Sequence, residues 1–124
     1  MGDYKKLEVW KKAHALTIDI YKLSNKFPSE ERYGMISQIR RAAASIPMNI
    51  AEGSGSLYEK EFIRFLGIAR RSACEVEYQI ILCKDLEYVN ELEYTQLSSE
   101  LKTVSKMLNG LIKNLVEKQI NNKV

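Results

Sequence analysis

Val9, Ala13, Leu16, Ile20, Leu23 and Phe27 recur at spacings of 4, 3, 4, 3 and 4, the period of an amphipathic helix with one buried seam. The same period returns three more times. Ile36, Ile39, Ala43, Ile46 and Ile50 define a second seam. Phe62, Leu66, Ala69, Ala73, Val76, Ile80 and Cys83 form a third, and Leu97, Leu101, Val104, Leu108, Leu111 and Leu115 a fourth. No segment alternates with the two-residue period of a strand. A lone helix of this kind is marginal in water, so the four seams must pack against one another. The spacing predicts an all-α, up-down-up-down antiparallel four-helix bundle with helices near 7–27, 34–53, 57–87 and 91–117. A chain of 124 residues supports one such core and not two. Residues 1–118 are therefore expected to form a single domain, and 119–124 a polar tail that frays.

Punctuation along the chain agrees with this division. Phe27-Pro28 closes the first helix, and Gly53-Ser54-Gly55 supplies a flexible stop after the second. Ser56 with Glu59, and Asn90 with Glu93, have the spacing of capping boxes that open the third and fourth helices. Pro47 falls inside the second seam, where it cannot donate to the carbonyl of Ala43 and its ring crowds that oxygen, at about 3 kcal/mol. A kink is expected there, with a full break as the alternative.

Composition removes several kinds of chemistry. One His and two Cys cannot complete a four-ligand His/Cys zinc site. A di-iron bundle needs two Glu-x-x-His pairs, and the single His14 has a lysine, Lys11, three positions before it. A Ser-His-Asp arrangement would need the same His14, which lies on the back of the first helix. Gly53-x-Gly55 lacks the later Gly and Lys of a phosphate loop and the strand before it, and reads as a connector. Neither enzymatic activity nor a cofactor is expected. Cys74 and Cys83, nine positions apart, fall on opposite sides of one helix. They do not pair, and they read as small hydrophobes in a reducing compartment. The opening MGDYKKLEVW has no apolar run after its lysines, and nowhere do about 18 apolar residues follow one another. A soluble, cytoplasmic protein without membrane contact is the expectation.

Charge is distributed unevenly along the chain. Residues 1–72 hold 13 Lys/Arg against 8 Asp/Glu, residues 73–124 hold 6 against 8, and every Arg lies in the first part. Glu75 to Glu100 contains seven acids and one base, so the bundle end carrying the turn between the third and fourth helices is acidic. Lys60, Arg64 and Arg71 align on the outward side of the third helix, and the second offers Arg40 and Arg41, with Arg41 above Ser45 and Asn49. These five bases form a candidate phosphate-binding surface for RNA or DNA, the alternative being a solvated face tied up in internal ion pairs. No aromatic side chain interleaves with them, so base stacking and sequence readout are not expected.

Two apolar stripes lie outside the seams. Leu7, Trp10, His14, Ile18 and Tyr21 run nearly opposite the seam of the first helix, and Ile63, Gly67, Cys74, Tyr78 and Ile81 form the back of the third. Contiguous apolar patches mark interfaces, and two unlike patches make a heterologous contact that closes into a ring. A homo-oligomer joined by these residues is expected, with Gly67 admitting a close neighbour.

The run Ser37-Gln38-Ile39-Arg40-Arg41-Ala42-Ala43-Ala44-Ser45-Ile46-Pro47-Met48-Asn49-Ile50-Ala51-Glu52-Gly53-Ser54-Gly55 closely resembles the signature of the four-helix-bundle proteins encoded in intervening sequences of bacterial 23S ribosomal RNA genes. Leu7-Glu8-Val9-Trp10-Lys11-Lys12-Ala13-His14, the stretch from Phe27-Pro28 to Tyr33-Gly34, and Lys60-Glu61-Phe62-Ile63-Arg64-Phe65-Leu66 continue the likeness over roughly residues 4–115. The resemblance implies a homopentameric ring with no enzymatic activity and an association with RNA. The chain is also distantly similar to the accessory proteins of diversity-generating retroelements, basic pentameric bundles that bind nucleic acid and a reverse transcriptase. Neither relative supplies a catalytic residue. Two functional classes follow: a nucleic-acid-binding ring, and an adaptor ring whose partner is a protein.

Overall fold

The computed structural model describes residues 2–122. They form four α-helices, α1 (Glu8–Ser24), α2 (Met35–Ser54), α3 (Glu59–Asp85) and α4 (Glu91–Asn121), with short 3-10 turns at Tyr4–Lys6 and Ser29–Glu31 and no strand among the described residues. Each helix buries the seam that its sequence announced. All seven α3 positions from Phe62 to Cys83 are buried, as are Leu16 and Ile20 of α1, Ile39, Ile46 and Ile50 of α2, and Leu101, Val104 and Leu108 of α4. Leu23, Ile36, Leu111 and Leu115, at the margins of their seams, are only half-buried.

Side-chain links fix which helix ends lie together. At one end Lys26 pairs with Glu93, the Tyr88 hydroxyl donates to Glu31 at 2.7 Å, and the rings of Phe27 and Tyr88 lie 5.4 Å apart. This joins the α1–α2 connection to the α3–α4 connection. At the other end the Ser54 hydroxyl donates to the Gly2 carbonyl at 3.0 Å, and Lys118 of α4 pairs with Glu59 of α3 at 3.0 Å. Helices adjacent in sequence therefore run antiparallel, and α1 also packs on α4, closing the bundle.

Pro47 is accommodated without a break. α2 continues unbroken through it, and the ring is buried. The missing N–H leaves Ala43 O without its helical donor, and Thr17 of α1 supplies a replacement. The Thr17 hydroxyl, itself buried, lies 2.8 Å from Ala13 O and 3.1 Å from Ala43 O, so its proton is shared between its own helix and the vacated carbonyl. This satisfies a buried group that would otherwise be orphaned.

Two expectations about punctuation are corrected. Ser56 does not cap α3: its hydroxyl donates back to Glu52 O, while Glu59 accepts from Lys118 and from Gln119 of α4. Tyr58 occupies the cap position with no side-chain bond. The Asn90–Glu93 box, by contrast, forms in both directions, at 2.8 and 2.9 Å. Gly53 is no flexible stop, because it is a buried residue of α2 pressed against α3. A Cβ there would stand 2.7 Å from Phe65 Cβ and 2.8 Å from Phe62 Cδ1. α4 extends to Asn121, with the Gln119 amide donating to Glu59 at 3.3 Å; positions 123 and 124 of the expected polar tail lie outside the described residues.

Candidate nucleic-acid interface

At 100° per residue, Lys60, Arg64 and Arg71 fall within roughly 40° of one another around α3, and all three are exposed. Arg41 is exposed on the adjoining α2. Among the described residues no carboxylate pairs with Arg41, Lys60 or Arg71. Arg64 pairs with Glu61 at 3.1 Å and lies over the Phe65 ring at 4.6 Å. That hydrogen bond holds the Glu61 carboxyl below its ordinary value, but an exposed pair of this kind is easily exchanged for a phosphate. Arg70 is equally exposed but stands roughly 100° from Arg71 around α3, on the far side of the apolar strip.

Arg40 is placed elsewhere. Its Nε donates to Ser24 Oγ at 2.8 Å, and its Nη2 donates to Tyr21 O at 3.2 Å and Asn25 Oδ1 at 2.9 Å, with the guanidinium 4.9 Å from the Tyr21 ring centre. It caps the α1 C-terminus, where terminal carbonyls and the helix dipole favour a cation. Ser45 and Asn49 also leave the basic face: the Ser45 and Ser72 hydroxyls bond at 2.8 Å across the α2–α3 contact, and Asn49 Nδ2 donates to Ser45 O at 2.8 Å.

The apolar stripe of α1 divides in two. Leu7 and Trp10 pack partly against the core, and Trp10 is held edge-on by Tyr4 at 5.2 Å and face-on by His14 at 4.9 Å. His14, Ile18 and Tyr21 are the exposed members. On α3, Cys74, Tyr78 and Ile81 are exposed while Ile63 and Gly67 are half-buried, and a Cβ on Gly67 would meet nothing within 4 Å. This strip and the basic strip share the outward half of α3, their mean directions roughly 60° apart. Burial pushes the Cys83 thiol up to about 11, so it stays protonated and inert near neutrality.

An open groove of about 710 Å³ lies where α1 turns into α2, floored by Phe27 and Ile36 and rimmed by Arg32, Tyr33, Ser37 and Arg40. Sequence reasoning gathered neither Arg32 nor Tyr33; the adjacent Arg and Tyr in a connection of polar residues were the signal available. The acids of the α3–α4 turn line a separate hollow with Lys26 and Lys84.

Residues 5–110 match the family model described as 23S rRNA-intervening sequence protein. The chain belongs to that family. A solved structure from Bacteroides thetaiotaomicron, described as a protein with unknown function from the S23 ribosomal protein family, is similar at 29% identity. The match covers 85% of this chain and 95% of that one, with a TM-score of 0.79. No curated protein matches. Membership in the 23S rRNA-intervening sequence family brings no catalytic indication with it.

Proposed function

We propose that this family member is a non-enzymatic homo-oligomer, a ring of five bundles, that binds nucleic acid, RNA foremost, through the outward faces of α2 and α3. The observation that carries the reading is the exposure of Arg41, Lys60 and Arg71 with no carboxylate partner among the described residues, and Arg64 beside them in an exchangeable pair. The family name mentions 23S rRNA and so makes RNA the first polymer to test; it supplies no contact. One bundle offers few phosphate contacts, and a ring repeats them, so weak sites add through multivalency. In the ring, exposed Ile18 and Tyr21 of one copy meet the Tyr78–Ile81 side of α3 on the next, leaving the basic strip outside.

Binding is electrostatic and weakens steeply with salt, as fewer counterions are released with gain. RNA and duplex DNA titrated at low and physiological salt test this, using the native chain and the Arg41→Glu/Arg71→Glu double variant. The reading expects native binding at low salt and its loss in the double variant. A second reading, an adaptor ring for a protein partner, draws on Met48, 59% exposed on the outward side of α2, and Tyr78, 63% exposed on α3. It takes over if the native chain binds neither polymer at low salt, or if the double variant binds as well.

A further inference from the structure

We propose that the groove between the α1 C-terminus and the start of α2 seats one nucleotide of a single strand, its base on Tyr33 and its phosphate between Arg32 and Arg40. The proposal rests on the nucleic-acid reading above and adds to it a site with a shape. Tyr33 is 88% exposed, a large ring left in water at the rim of a cleft. The loop behind it is anchored. The Glu31 carboxyl turns away from the groove to accept from the Met35 N–H at 3.1 Å and the Tyr88 hydroxyl at 2.7 Å, and the absence of a side chain at Gly34 makes room, since a Cβ there would stand 2.5 Å from Glu31 Oε1. The ring is thus presented outward from a fixed turn.

The two guanidinium groups complement each other. Arg40 is immobilised through Nε and Nη2, which leaves Nη1 as a donor in a set position, and a donor already held in place loses little freedom on binding. Arg32 is exposed and pairs with no carboxylate among the described residues. Ser37 adds a hydroxyl suited to a phosphate or ribose oxygen, and no carboxylate lines the groove. A floor of Phe27 and Ile36 beneath an aromatic rim suits a flat base better than a bare anion, and the volume suits a small ligand. Stacking is tolerant of sequence because every base has a π-face. Arg41, the next residue along α2, is exposed roughly 100° around the helix from Arg40 and lies outside the groove lining.

The test is binding of a short single-stranded oligouridylate and of duplex RNA, followed by fluorescence anisotropy at low salt. The variants are Tyr33→Ala, Tyr33→Phe and Arg32→Gln, all at exposed positions outside the core. Tyr33→Ala should weaken oligouridylate binding about tenfold or more, the loss of one stacked base. Tyr33→Phe should restore it, Arg32→Gln should weaken it, and duplex binding should be unmoved by Tyr33→Ala because paired bases cannot reach the ring. If Tyr33→Ala binds oligouridylate like the native chain while Arg41→Glu/Arg71→Glu is defective, the groove assignment is overturned and the basic face stands. If the native chain binds neither polymer, both fall.

Discussion

A methyl group at Gly53 has no space, and at Gly110 it has nothing but space. Alanine is favoured over glycine in a helix by about 0.5–1 kcal/mol, so Gly110→Ala should raise the urea midpoint. At Gly53 the clash with Phe62 and Phe65 reverses the sign: overpacking costs about 1–3 kcal/mol, and Gly53→Ala should lower the midpoint despite its better propensity. A second residue sets a pH dependence. Glu100 of α4 faces Asp19 of α1, and its Oε2 is buried with no donor in reach. Burial, reinforced by Asp19 and opposed by Lys12, pushes the Glu100 carboxyl up to about 7. The folded chain holds this proton more tightly than the unfolded chain, whose value is near 4.5. The contribution is whole below 4.5 and is lost as pH climbs through about 7. Urea midpoints should therefore fall over that window, and Glu100→Gln should flatten the fall; an unchanged slope in that variant would refute the assignment. Glu31, Glu59 and Glu93, held low chiefly by Tyr88, Lys118 and Lys26 respectively, act in the opposite sense at more acid pH.

Within the elements, the Thr17–Ala43 bond and Pro47 should be energetically coupled. Removing the hydroxyl with Thr17→Val leaves a buried carbonyl unsatisfied, at about 1–3 kcal/mol. In a Pro47→Ala background the new N–H of residue 47 takes over Ala43 O, so the same Thr17 substitution should cost less, by about 1 kcal/mol. Equal costs in the two backgrounds, measured by denaturant unfolding, would show that the shared proton belongs to Ala13 alone. This pair also marks where sequence reading stops. The helices and their seams were legible because burial on a helix is periodic and the period is written in residue type. The partner for Ala43 O was not, because it comes from another helix 26 positions away. The Asn90–Glu93 box was legible as a local bond; the same pattern at Ser56–Glu59 failed because α3 starts two residues later than the pattern implies, with Tyr58 at the cap and Glu59 as its first residue, bonded instead to Lys118 and Gln119.

For the whole molecule, surface roles were less legible than the core, since an arginine's role depends on what tertiary packing brings beside it. Arg40 and Arg41 are neighbours in sequence, yet one caps α1 and the other faces water. Assembly is the property to test at this scale. Light scattering at micromolar concentration should report a closed oligomer, and a monomer mass would remove the ring. Trp10 makes a poor probe, since it packs on its own core and its loss would weaken the fold as well. Tyr78→Glu, at an exposed position, should shift the mass toward the monomer while leaving helix content unchanged. A buried aromatic at a subunit contact is commonly worth about 2 kcal/mol or more.

Thr17 also changes what counts as the smallest folding unit. Cut from the chain, α2 would be two short helical pieces meeting at Pro47, each too brief to persist in water. Only with α1 alongside does the interruption acquire its missing partner and α2 become one rod. The amides flanking Pro47 should then exchange with solvent in step with those of α1 rather than with the rest of α2, a single cooperative opening that crosses the boundary between two helices.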